Sequence, residues 1–301
     1  MRTILLFLFL LSGLADAKPL NLHLVQYPIA GKQTYERFWQ KVQKYVSYGV
    51  KNKSDVILFP ELIALDMWPI GSLNFEDEVG ALKSISQHFS DYQKRVGELA
   101  KKSKLILIAG TAPRWVDGKL FNTLVVGMPS GEVILQDKIH LTKWERERGF
   151  APGKDLVSLD SPWGPIVILI CYDSEVPGLS HSLVDLKPTL ILVPSMTEGR
   201  AGRTRVRVTS QARSVEHLAY VALTGTVGKP SKDFPNDGQA FVFAPPVAPF
   251  KKYVLAEGPL NRSGNVFFKL DFDQLKQARK NPPVYPARDQ TIVPLRTMKS
   301  N

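Results

Sequence analysis

One cysteine, five histidines and five methionines are spread through 301 residues. A single thiol cannot close an intramolecular disulfide, and it offers neither the paired cysteines nor the Cys/His spacing of a structural metal site. The fold must therefore stand on its hydrophobic core. Acidic residues are also scarce beside basic ones, 28 against 39, which leaves a formal charge of +11. Outside the amino terminus no uninterrupted apolar run is long enough to span a bilayer. No internal repeat, no compositional break suggesting a linker and no nucleic-acid recognition motif is present. The positive residues are scattered, so they read as solvated surface and nucleic acid is not an expected partner.

The amino terminus has the form of an export signal. Arg2 supplies a basic start, Ile4 to Leu11 is apolar, and Ala15-Asp16-Ala17 is a small-x-small cleavage site. The expectation is a signal peptide over residues 1–17, cleavage near Ala17, and a secreted or periplasmic mature chain of one domain, residues 18–301. Cleavage removes one base, Arg2, and one acid, Asp16. The surviving positive charge suits an anionic envelope surface such as headgroups or cell-wall polymers.

Leu20 to Gln26, Val56 to Phe59, Leu105 to Gly110 and Thr189 to Val193 read as strands, being short and rich in apolar and β-branched residues. Leu120 to Gly127 and Glu132 to Asp137 flank Met128-Pro129-Ser130-Gly131, a turn signal that predicts a hairpin. Ala219 to Thr224, Gln239 to Phe243, Tyr253 to Ala256 and Asn265 to Leu270 are later strands. Thr34 to Tyr48 is spaced as a helix with Thr34 as cap, Ala81 to Ser103 as one long amphipathic helix, and Arg203 to His217 as a third. The tail from Asn281 to Asn301 reads as extended. Buried strands alternating with helices and interrupted by hairpins predict a mixed α/β architecture whose sheets are covered by helices.

The stretch VILICYDSEVP, Val167 to Pro177, organises the rest. A buried strand from Pro165 through Ile170 ends at Cys171, the lone cysteine, and Pro177 stands where a helix can begin. Such a strand-to-helix turn presents a side chain at the carboxyl end of a sheet and frees backbone N–H groups for an anion. Glu61 after VILFP and Lys138 after VILQD sit at equivalent strand ends, where ligands of open α/β sheets bind. A base, a cation and a thiol suffice for acyl transfer. Glu61 would move the proton, Cys171 would attack a carbonyl carbon, and Lys138 with the Tyr172 backbone N–H would stabilise the oxyanion. Trp68, Trp144 and Met196 adjoin these strands as candidate pocket residues. Asp173 and Glu175 read as helix-start acids.

FPEL around Glu61, DKIHLTKWE around Lys138 and ICYDSEVP around Cys171 resemble, in order and approximate spacing, the three signature segments of the nitrilase superfamily of carbon-nitrogen hydrolases, nearest its Rim1-like branch. The resemblance extends to LHLVQYPI, QARSVEHLAYVALTGTVG and NDGQAFVFAPP, and so covers nearly the whole mature chain. It implies an α/β fold in a four-layer αββα sandwich, a Glu61-Lys138-Cys171 triad, no cofactor, no metal, a small-molecule amide substrate and a homodimer. It also implies a second glutamate shortly after the lysine. Glu145 and Glu147 both lie in that window, and Glu145 is preferred because Trp144 precedes it. His140 matches a structural histidine, and His181 lies on the helix after the nucleophile. Where relatives carry Arg-Ala-x-Glu-Asn, this chain has Arg213-Ser214-Val215-Glu216-His217, so that Glu216 is retained as a turn anchor and a buried, hydrogen-bonded histidine replaces an amide. The implied activity is hydrolysis of a linear amide or carbamoyl group. The alternatives are an N-acyltransferase using the same triad and a catalytically silent envelope-binding protein.

Overall fold

The computed structural model describes residues 18–68, 75–231 and 234–291. The leader over residues 1–17 and the end of the carboxyl-terminal tail, residues 292–301, lie outside the described residues. The first half of the chain runs β1 (Leu20–Gln26), β2 (Pro28–Ile29), α1 (Tyr35–Lys51), β3 (Val56–Leu58), a 3-10 turn (Ile63–Met67), α2 (Phe75–Ser86), α3 (Phe89–Ser103), β4 (Ile106–Val116), β5 (Lys119–Gly127) and β6 (Val133–Asp137). The second half contains α4 (Lys143–Glu147), β7 (Ser158–Leu159), β8 (Ile166–Ile168), a 3-10 turn (Cys171–Glu175), α5 (Pro177–His181), β9 (Leu190–Ser195), α6 (Gly199–His217) and β10 (Tyr220–Gly225). It closes with β11 (Val227–Ser231), β12 (Phe234–Asn236), β13 (Phe241–Phe243), β14 (Val254–Glu257), β15 (Gly264–Leu270), α7 (Phe272–Lys280) and α8 (Pro286–Asp289).

Two six-stranded sheets carry the fold, ordered β15-β1-β3-β4-β5-β6 and β14-β13-β10-β9-β8-β7. Each has three parallel strands at its centre, β1-β3-β4 and β8-β9-β10, with antiparallel strands on the flanks. The alternation of side chains along the first sheet assigns its two faces. Leu22, Leu24, Val56, Leu58, Ile106 and Ile108 pack inward with Ile166 to Ile170, Leu190 to Val193 and Phe241. Val25, Ile57, Phe59 and Leu107 point the other way, against Phe38 and Val42 of α1, Leu82 of α2 and Tyr92 and Val96 of α3. On the far side of the second sheet Val206 of α6 and Phe272 and Leu275 of α7 join the inner core. The layers are therefore helix, sheet, sheet, helix.

Thr34 caps α1, its hydroxyl accepting from the Arg37 N–H at 3.3 Å. The predicted single helix over Ala81 to Ser103 is two. α2 begins at Phe75, and between Ser86 and Phe89 the chain tightens into i→i−3 bonds, Gln87 N–H to Ser84 O and His88 N–H to Ile85 O. Contacts from elsewhere in the fold lie at this step: the Ser86 hydroxyl accepts from the Trp115 N–H at 2.6 Å, and the His88 ring stacks on Tyr35 at 4.4 Å. Within the described part of the tail read as extended, Pro286–Asp289 form the short helix α8, with Pro286 in its first turn and Ala287 buried.

Candidate active site

Three strand ends meet where the two sheets adjoin. After β3, Phe59-Pro60 leads to Glu61, and Leu62 then adopts a left-handed conformation, φ 49°. That bend turns the Leu62 N–H onto the Thr111 hydroxyl at 2.8 Å. Thr111 is re-aimed by a bulge in β4 between Ile108 and Thr111. Gly110 makes the bulge fit, since its φ is +75° and a Cβ there would lie 2.3 Å from the Pro60 carbonyl oxygen. Lys138 directly follows β6 and is anchored by its N–H to the Asn122 carbonyl at 2.9 Å. On the other sheet Cys171, beyond β8, is also left-handed at φ 49°, a conformation that costs a non-glycine residue about 1–2 kcal/mol. The Ser174 hydroxyl, donating to the Cys171 carbonyl at 2.7 Å, holds the turn in that shape.

The side chains form one buried network. Lys138, 1% exposed, donates to Glu61 Oε1 at 2.7 Å and to Glu145 Oε2 at 2.8 Å. Asn122 of β5 lies across from it and donates through Nδ2 to Glu61 Oε1 at 2.9 Å and to Glu145 Oε1 at 2.7 Å. Glu145 also completes a capping box on α4. Its Oε2 accepts from the Thr142 N–H and hydroxyl at 2.8 Å each, and its own N–H reaches the Thr142 hydroxyl. The two acids therefore differ. Burial raises the pKa of Glu61, with the Lys138 charge opposing and Glu145 reinforcing the shift. Burial pushes Glu145 the same way, but the Lys138 charge and donors from Lys138, Asn122 and Thr142 hold it below the ordinary carboxylate value. Burial works against the charge of Lys138 too. The Glu61 and Glu145 charges outweigh it, and its pKa lies well above the usual one.

The sulfur is held differently. The Cys171 thiol, 3% exposed, donates to the Met196 carbonyl at 3.5 Å and accepts from the Ser195 hydroxyl at 3.3 Å. The Met196 N–H donates to Glu61 Oε2 at 2.9 Å, so the backbone of one residue just beyond β9 contacts the acid through its N–H and the sulfur through its carbonyl. Burial and then the Glu61 charge push the thiol pKa up, with Lys138 opposing. The resting group is a neutral thiol.

The predicted site residues separate cleanly. Glu61, Lys138, Cys171, Tyr172, Trp144, Glu145 and Met196 all line one cleft of about 340 Å³. Met196 also takes part through its backbone, a role that its apolar side chain does not signal. Glu147 lies outside the network, half exposed and paired with Lys143 at 3.5 Å. Trp68 is packed in the core that α1 covers and does not line the cleft. Asp173 stands in the first turn of the 3-10 segment, as expected of a helix-start acid, but its role goes further. It is buried and accepts the His140 N–H at 2.7 Å and its ring Nδ1 at 3.0 Å, which ties the Lys138 loop to the Cys171 turn. Glu175 faces the cleft and pairs with Arg205 at 3.0 Å. His181 meets Gln290 at the surface. His217 is buried against Ser180, whose hydroxyl also donates to Glu216. Sequence reasoning missed Asn122, beside Thr123 in β5, and Ser195, the last residue of β9.

The arrangement offers a thiol, an acid of raised proton affinity and a fixed ammonium around one opening, the kit for adding a nucleophile to a carbonyl. Comparisons with known proteins identify the family. Over 283 residues the chain is 30% identical to the probable hydrolase YhcX of Bacillus subtilis, covering 91% of this chain and 54% of that protein, so it spans about half of that relative's length. It is 25% identical to the deaminated glutathione amidase of Dictyostelium discoideum, covering 85% of this chain and 90% of the other. In structure it matches Saccharomyces cerevisiae Nit3, a member of branch 10 of the nitrilase superfamily, with a TM-score of 0.70 at 19% identity, over 89% of this chain and 95% of that one. The family model for carbon-nitrogen hydrolases matches residues 22–279. With this match over most of its length, the chain belongs to the carbon-nitrogen hydrolase family.

Proposed function

We propose that the protein is an exported thiol hydrolase that cleaves a linear amide or carbamoyl group through an acyl-enzyme on Cys171. The observation that carries this reading is the convergence of Glu61, Lys138, Glu145 and Cys171 in one cleft, with the two acids divided by their surroundings. Glu61 takes the thiol proton as the sulfur attacks the carbonyl carbon. The tetrahedral oxyanion is met by Lys138 and the Tyr172 N–H. Three N–H groups belong to a lysine ammonium and two are already bonded here, which leaves one for that oxygen. Glu61 passes its proton to the leaving nitrogen, the C–N bond breaks, and a thioester remains. Water then adds to the thioester while Glu61 takes its proton, and the proton returns to sulfur as the acid departs. Glu145 keeps its charge throughout and holds Lys138 in place. Trp144 and the Met196 side chain line the substrate's path.

Water is the acceptor in this reading, which the amidase among the relatives supports. Added amines that accelerate product release would favour the acyltransferase alternative. Export rests on the signal-like character of residues 1–17. An anionic envelope surface as the site of action rests on the charge of +11, and a homodimer on the family resemblance. The direct test is Cys171→Ala: ammonia or amine release from amides should vanish, and wild-type turnover in that variant would exclude the mechanism.

A further inference from the structure

One wall of the cleft is a single face of α6. Glu198, Ala201, Gly202 and Arg205 all line the opening that holds Cys171; the spacing of Ala201, Gly202 and Arg205 places them on one stripe of the helix, and Glu198, the extended residue that precedes its first turn, continues the stripe at the amino-terminal end. The stripe is small in the middle and charged at both ends. The ends lie about 10 Å apart along the helix axis, a distance that the long side chains of glutamate and arginine can bridge toward each other.

Each end is open to a ligand. Arg205 is bonded through Nε to Glu175 Oε2 at 3.0 Å, and the Glu175 side chain is only 11% exposed against 62% for Arg205. The buried partner orients the guanidinium from behind. Among the described residues no other hydrogen bond or ion pair engages it, so its two terminal nitrogens keep their donors for a planar anion. At the other end no hydrogen bond or ion pair among the described residues engages the Glu198 carboxylate. Desolvation by its surroundings raises its pKa, with the Arg148 charge opposing. Lys143 of α4, another charge on the cleft, is paired with Glu147 at 3.5 Å.

We propose that the amide substrate is a zwitterion, carrying a carboxylate for Arg205 and an ammonium for Glu198 at the end remote from the scissile bond. This names the substrate class of the thiol hydrolase and rests on that reading. The small Ala201 and Gly202 leave room for the chain that joins the charged head to the amide. A side chain at 202 would narrow the trough, since an added Cβ lies 3.2 Å from the Thr197 Cβ.

Four amides with the same three-carbon spacing separate the charges: L-glutamine with both, glutaramate with the carboxylate, 4-aminobutanamide with the ammonium, and butanamide with neither. Ammonia release should give kcat/KM highest for L-glutamine and lowest for butanamide, each charge contributing about tenfold. In Glu198→Gln the ratio of L-glutamine to glutaramate should fall about tenfold. In Arg205→Lys, which keeps a cation beside Glu175, the ratio of L-glutamine to 4-aminobutanamide should fall severalfold. Butanamide turned over as fast as L-glutamine, or ratios that neither variant moves, would overturn the zwitterion and leave the hydrolase standing. Ammonia from none of the four would count against the hydrolase itself.

Discussion

On the β3–β6 side of the site every reacting group is a charge inside a network of buried side chains, whereas on the β8–β9 side a neutral sulfur is held by one strained turn and one peptide. Lys138, Glu61, Glu145 and Asn122 satisfy one another, and removing a member leaves the others short of a partner in a region closed to water. Cys171 relies on its left-handed backbone, on Ser195 and on the Met196 peptide, none of which needs the sulfur to be charged. Catalysis and stability are therefore coupled on the first side and separable on the second.

The largest test of that contrast is Lys138→Met. It leaves two buried carboxylates beside each other, so urea unfolding should show a loss of about 3–5 kcal/mol together with loss of turnover. Cys171→Ala should lose turnover while unfolding within about 1 kcal/mol of wild type, a small-deletion cost. Equal destabilisation by the two changes would break the comparison.

Acid stability should blur it, because each half buries a neutral histidine. Burial depresses His23 of β1 to about 4 and His217 at the end of α6 to about 4, assisted at His217 by the charges of Arg213 and Arg279. In the unfolded chain these rings titrate near the usual 6.5, so below that pH the unfolded state binds protons that the native state refuses. Stability is then complete above about pH 6.5 and falls as the pH drops toward 4, by up to about 3 kcal/mol per ring. Urea midpoints measured between pH 7 and 4 check this, and His217→Asn should flatten the slope.

Smaller again is Asn122→Leu, which removes a donor shared by both acids and should cost about 1–3 kcal/mol. Loss of that hydrogen bond favours protonated Glu61, so the acid limb of the kcat/KM profile should move to higher pH, a shift that a purely structural role would not produce. The finest comparison is Cys171→Gly against Cys171→Ala. Both should be inactive, and glycine should be the more stable by about 1 kcal/mol, since only it accepts φ 49° without strain.

The same division governs how far the molecule can be read from its residues. Strands such as IVILI and LILVPS announce themselves because a sheet covered on both faces needs continuous apolar runs. The three reacting residues stand out because each ends such a run. Asn122 and Ser195 do not, since a neutral amide or hydroxyl in or at the end of a strand looks the same whether it serves a site or a local bond. Glu145 separates from Glu147 only in the fold, where the capping box turns one acid inward. The step between α2 and α3 is silent because Ile85, Phe89, Tyr92 and Val96 keep an unbroken helical period across it. α7 follows from a cap and a stripe: Asp271 caps it, accepting from the Asp273 and Gln274 N–H groups, and Phe272, Leu275 and Ala278 recur on its buried face.

The central claim is that a neutral, backbone-held Cys171 becomes the acyl carrier beside a fixed ammonium. Mass spectrometry of the protein quenched in acid during turnover of a slow amide tests it most directly. The expected result is one acyl group per chain, mapped to the peptide bearing Cys171 and absent from Cys171→Ala. Acyl mass on any other residue, or steady turnover by Cys171→Ala, would contradict the account.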